Sequence, residues 1–159
     1  MYEPIVTRYF GKELANRVAE RDLPLDYVTQ YCGISMPSLK ECLNGERLAT
    51  PWQLVLMAEI LFCTVNDLLG FGHFNNGTDQ MASNLPQGEY RVAEHMWNEV
   101  SQRMVEKDLT VEDIAYYAGV HFTTAKNWFG YPHHSFPKTF SLICICDALD
   151  CTPSDLLGY

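Results

Sequence analysis

The sequence predicts an all-α protein made of two tandem copies of one five-helix domain, and three observations carry that prediction. Apolar residues recur at helical spacing, and no stretch of useful length alternates with the period of two that a strand needs. The chain repeats itself: Val18-Ala19-Glu20-Arg21-Asp22-Leu23 returns as Met104-Val105-Glu106-Lys107-Asp108-Leu109, and Gly33-Ile34 as Gly119-Val120, at an offset of 86. Further on, Cys63-Thr64-Val65-Asn66-Asp67-Leu68-Leu69-Gly70 returns as Cys151-Thr152-Pro153-Ser154-Asp155-Leu156-Leu157-Gly158 at an offset of 88. The change of offset requires a two-residue insertion in the second copy, placed in the loop-like stretch 130–137. Residues 1–70 then form the first domain, 71–89 a linker dominated by turn residues (Gly72, Asn75-Asn76-Gly77, Ser83-Asn84, Pro86-Gln87-Gly88), and 90–159 the second domain.

Each element follows from local chemistry. The first helix is expected over residues 5–20, because Val6, Phe10, Leu14 and Val18 recur every four residues and make one buried face. Met96, Val100 and Met104 repeat that face in the second copy. A short helix over 25–31 is matched at 111–117, where Thr110 and Asp113 fit a capping box. Gly33 and Gly119 end these helices, since a tight turn between helices needs a residue at ease with positive φ. Ser35 is a good N-cap for a third helix over 36–43, and His121 a poorer one for its partner over 121–129. Thr50-Pro51-Trp52-Gln53 opens the fourth helix with a cap and a proline at the first helical position. Thr64 with Asp67, and Thr152 with Asp155, cap the short fifth helix of each copy. A short helix, a glycine turn and a second short helix make a helix-turn-helix pattern in each copy.

Composition excludes several classes. With 47% hydrophobic and 19% charged residues the chain is globular. The apolar stretches 54–63 and 142–146 are too short or too interrupted to span a bilayer, and the N-terminus lacks a basic segment leading an apolar one. A cytoplasmic protein with no membrane association is expected. Cys32, Cys42, Cys63, Cys144, Cys146 and Cys151 contain no Cys-x-x-Cys pair, so they read as buried free thiols rather than a metal or disulfide framework. His121 with His133 and His134 lacks metal-ligand spacing. Tyr116, Tyr117, Trp97 and Trp128 read as packing residues, and Trp52 as a candidate partner contact. There is no phosphate loop, nucleophile elbow or placed carboxylate pair, so neither an enzyme nor a cofactor is expected.

Both copies resemble the lambda-repressor-like (Cro/repressor, XRE-type) helix-turn-helix family. The residues that carry the resemblance are Thr110, Ala115, Gly119 and Trp128 in the second copy, Leu43-Asn44-Gly45 with Thr50-Pro51 in the first, and the Asp-Leu-Leu-Gly tails of both. The resemblance implies a DNA-binding transcriptional regulator, most simply a phage or bacterial repressor, whose third helix enters the major groove. It makes His121, Phe122, Thr123, Lys126 and Asn127 the candidate base readers. Ser38, Lys40, Arg47, Thr50, Thr110, His133, His134 and Lys138 become the candidate phosphate contacts. Leu25 and Val111 stand where the family often has Gln, and Met36-Pro37 and Cys42 where it has polar readers and Trp. Base readout is therefore expected mainly from the second copy.

Charge separates two readings. The chain carries −9, which opposes binding to phosphate. Yet no Asp or Glu lies between Asp113 and Asp147, a window that holds Lys126 and Lys138, and the first copy has a shorter acid-free window from Tyr27 to Lys40. Within a Debye length of ~8 Å, local charge dominates contact. The first reading is sequence-specific binding to double-stranded DNA, with the tandem copies replacing the usual dimer or with copy one joining a homodimer. The alternative is an acidic binding module or inhibitor on the same fold, acting on a basic protein partner.

Overall fold

The computed structural model describes residues 3–71, 87–130 and 135–159, and every regular element among them is a helix. The chain divides into two compact units, Met1–Gln80 and Met81–Tyr159. Unit 1 contains α1 (Glu3–Glu20), α2 (Leu25–Cys32), α3 (Met36–Leu43), α4 (Pro51–Leu61) and α5 (Val65–Leu69). Unit 2 contains α6 (Glu89–Lys107), α7 (Val111–Ala118), α8 (Phe122–Trp128), α9 (Thr139–Ala148) and α10 (Pro153–Leu157). Most of the expected 71–89 linker lies outside the described residues, and Glu89 already belongs to α6. Among the described residues no helix is long and apolar enough to cross a membrane.

The helix ends follow the capping chemistry. Thr50, Thr64, Thr110 and Thr152 each accept from the backbone N–H three residues on, while Gln53, Asp67, Asp113 and Asp155 accept back from the cap N–H. Gly33 and Gly119 close α2 and α7 in the left-handed region, at φ 62° and 71°. α1 begins two residues earlier than expected, with acidic Glu3 in its first turn. α8 is one residue shorter at each end, because His121 and Phe129 are its caps. The inserted residues fall between α8 and α9: α3 and α8 start 86 apart, whereas α4 and α9 start 88 apart.

In unit 1, α1 buries Val6, Phe10, Leu14 and Val18 against α3 and α5, and α4 packs on α2 and α5. In unit 2, α6 packs on α10, while α7 packs on α8 and α9. α4 and α9 are apolar over most of their circumference, as helices enclosed by neighbours are. Fully burying one such Leu or Phe side chain contributes about 1.5–3 kcal/mol.

One pair of matched positions makes the third helices sit differently. A Cβ on Gly11 of α1 would lie 2.7 Å from the Cys42 carbonyl oxygen and 2.8 Å from Gly45, so α1 meets the end of α3 by backbone approach. The same places in unit 2 hold Trp97 and Trp128, whose rings stack with centroids 5.5 Å apart. Trp97 also packs on Phe129 and donates its indole N–H to the Ser135 carbonyl at 2.8 Å. A small pair in one copy is thus exchanged for a large pair in the other, and α8 rests on α6 through two indoles.

Of the expected packing aromatics, Trp97 and Trp128 are buried, while Tyr116 and Tyr117 instead face solvent, Tyr116 at 82% exposure; Trp52, the candidate partner contact, is half-buried. The interior positions of α7 are taken by Ile114, Ala115 and Ala118, which leaves the adjacent tyrosines outside. All six cysteines are free; Cys32, Cys42 and Cys146 are buried and the other three half-buried.

Candidate nucleic-acid interface

α8 is positioned by its own buried side, Ala125 and Trp128. Every other residue from His121 to Asn127 is exposed, so His121, Phe122, Thr123, Lys126 and Asn127 present one continuous surface. Phe122 is 45% exposed at the first helical position, a large apolar group held in water. His121 caps α8 without a side-chain hydrogen bond, and the first turn holds no acid, which leaves the helix's N-terminal amides free of a competing carboxylate. Lys126 can donate to guanine and Asn127 can pair with adenine.

Lys138 lies across a shallow groove of about 300 Å³ from this helix, lined also by Thr124, Trp128, Phe136 and Ser141. It is the N-cap residue of α9, is exposed, makes no side-chain cap and is followed by no acid in the first turn. A positive side chain and a helix N-terminus therefore coincide at one edge of the α8 surface. His133 and His134 lie outside the described residues.

The remaining expected phosphate contacts are unequal. Thr110 is exposed, but its hydroxyl and amide are engaged with Asp113, and Glu112 stands beside it. The positive end of α7 is already answered by carboxylates, so Thr110 is poorly placed for phosphate. Thr50 caps α4 through neutral Gln53, with no acid in the first turn. In α3, Lys40 is exposed, but Arg47 donates to Ser38 Oγ at 3.0 Å and pairs with Glu41 at 3.3 Å. Ser38 further accepts from Ser35 Oγ at 2.9 Å. Ser38, Arg47 and Glu41 form a self-satisfied surface network, and only Lys40 and Thr50 of unit 1 remain presented as the sequence expected.

The cysteines add no ligand set, and among the described residues no group of His, Cys, Asp and Glu is arranged to hold a metal. Burial pushes the Cys32 thiol up to about 12 and the Cys42 and Cys63 thiols up to about 11. Cys151 is held below its ordinary range by a hydrogen bond from Cys146, whose own thiol is raised by burial.

Sequence reasoning missed the exchange of Gly11 and Cys42 for Trp97 and Trp128, although the repeat offset aligns both pairs. It also missed the aromatic groove of unit 1, since Tyr27 and Tyr31 carry ordinary helix spacing and nothing marks Phe62 as exposed. Comparison with protein-family models, with curated proteins and with solved structures gives no match.

Proposed function

We propose that the protein is a sequence-specific double-stranded DNA-binding transcriptional regulator, built from two tandem lambda-repressor-like helix-turn-helix domains, with α8 as its principal reading helix. The observation that carries this reading is the α8 surface: an exposed, acid-free run from His121 to Asn127, entered from the left-handed turn at Gly119 and flanked by Lys138 at the start of α9. Phosphate contacts would come from Lys138 in unit 2 and from Lys40 and Thr50 in unit 1. Arg47 would first have to leave Glu41. Unit 1 contributes position more than base readout, since Met36 and Pro37 at the start of α3 offer base edges no hydrogen bonds.

Selection of duplexes from a random pool by the purified full chain, at two salt concentrations, tests the proposal. Enrichment of one motif, weakened by about tenfold or more as salt rises fourfold, is the expected result for several phosphate contacts. Recovery of unselected sequence at both salts overturns it.

A second reading is favoured by the ion pair that occupies Arg47, by the acidic first turn of α7 and by the net charge of −9. In it the chain is an acidic binding module or inhibitor that engages a basic protein partner.

A further inference from the structure

The two units differ in surface chemistry around the passage from first to second helix. In unit 1 a groove of about 360 Å³ opens there, walled by Leu23, Tyr27, Tyr31, Ile60 and Phe62. Tyr27 and Tyr31 lie four residues apart on α2 with ring centroids 6.0 Å apart, and both are more than two-fifths exposed. Phe62 is 75% exposed. The matched positions of unit 2 hold Asp113, Tyr117 and Asp150, and Lys107 there pairs with Asp150 in an ordinary ion pair.

Burial does not account for Phe62, whose contact within the fold is with the Arg21 guanidinium. It ends α4 in the left-handed region at φ 52°, where Gly or Asn is preferred and an aromatic L-residue is strained. Burial does not repay that strain, because most of the ring faces water. A strained and solvated aromatic whose aromatic neighbours line one groove points to a binding role.

Charge selects the occupant. Arg21 and Glu59 both line the groove; Glu59 Oε2 accepts from the Tyr31 hydroxyl at 2.8 Å, and Asp22 and Asp26, next to Arg21 and Tyr27 in the chain, are exposed. The acidic chain repels a second copy of itself and attracts a cation. The groove's chemistry is already used once within the chain: the Arg21 guanidinium sits 4.2 Å from the Phe62 centroid while its Nε donates to the Leu61 carbonyl at 3.0 Å.

We infer that this groove docks an arginine- or lysine-bearing segment of a basic protein, with the incoming cation stacked on Tyr27 and Tyr31 and paired with Glu59. The inference rests on the second reading above and names its surface; it does not involve α8.

The test is titration of the full chain with a nonapeptide of alternating Gly and Arg, followed by amide chemical shifts, with a Gly and Glu nonapeptide as control. Shifts confined to Tyr27, Tyr31, Glu59, Ile60 and Phe62 are expected. Affinity should fall by at least about fivefold in Tyr27→Ala and in Glu59→Gln, the size of a stacked or paired cation contact. Phe62→Asn, which suits the left-handed backbone, should weaken binding while the remaining spectrum is unchanged. Shifts spread over the acidic faces of α6 and α7 would retain a basic partner and overturn this groove as its site. Absence of any binding would overturn both the groove and the second reading. Peptide-independent self-association through the same residues would overturn the choice of occupant.

Discussion

The thiols show how single residues report their surroundings. Cys32, Cys42 and Cys63 ionise near 9 when solvated, and in the folded chain burial lifts them to about 12, 11 and 11. Raised folded values mean that the native state holds protons the unfolded state has released. The stabilising contribution is complete below about pH 9 and is lost progressively as pH rises toward 11 and 12. Tyr31, raised to about 12 by its bond to Glu59, acts in the same direction above pH 10. Urea midpoints measured under reducing conditions should therefore fall from about pH 8 to about pH 10.5, and fall less steeply in Cys32→Ala. Equal midpoints across that range would show that the thiols are not shielded as described.

Residue identity also decides what the sequence can disclose. Gly33, Gly119, Thr64 and Thr110 mark helix ends through their own backbone and side-chain chemistry, so these ends are legible in the sequence itself. Arg47 is not. Its pairing with Glu41 and Ser38 depends on how the loop after α3 folds back, which neither side-chain type nor the family resemblance discloses. Thr110 is unfavourable for phosphate for the opposite reason: the capping box that locates α7 also engages the hydroxyl and places Asp113 at the helix's positive end.

Among the elements, α8 depends on a contact absent from its counterpart. Gly11 and Cys42 let α1 meet the end of α3 closely, whereas Trp97 and Trp128 put two stacked indoles between α6 and α8. Trp97→Ala leaves a cavity and removes the bond to the Ser135 carbonyl, and should destabilise unit 2 by about 3–5 kcal/mol in chemical denaturation. With Trp128→Ala added, the double-mutant cycle should return a coupling of about 0.5–1.5 kcal/mol. Additive losses would mean that the rings pack independently. The helical order of each unit is readable from periodicity and caps, but this packing is not, because periodicity reports which face is buried and not how closely two helices approach.

On the scale of the whole molecule, net charge and local charge pull in different directions. The chain is acidic at −9, yet the acid-free window between Asp113 and Asp147 contains both α8 and the Lys138 end of α9. Under the proposed DNA-binding reading, the acidic surroundings would slow approach to DNA and weaken non-specific contact. Each cation that reached a phosphate or base would then carry a large share of the affinity, so the loss of one would be measurable. Unit 1, with its aromatic groove and closed Arg47 network, faces its surroundings with a different chemistry from unit 2, and the two copies have ceased to be interchangeable.

The measurement that bears most directly on the proposed DNA reading by α8 is the affinity of the wild-type chain and of Lys126→Ala for the selected duplex across a salt series. Lys126 is exposed on a helix whose buried contacts are Ala125 and Trp128, so its truncation leaves the fold intact. The predicted result is affinity weaker by about 1–3 kcal/mol and a salt slope shallower by about one, as the loss of one cation contact requires. Identical affinities and identical slopes would contradict the assignment of α8 as the reading helix.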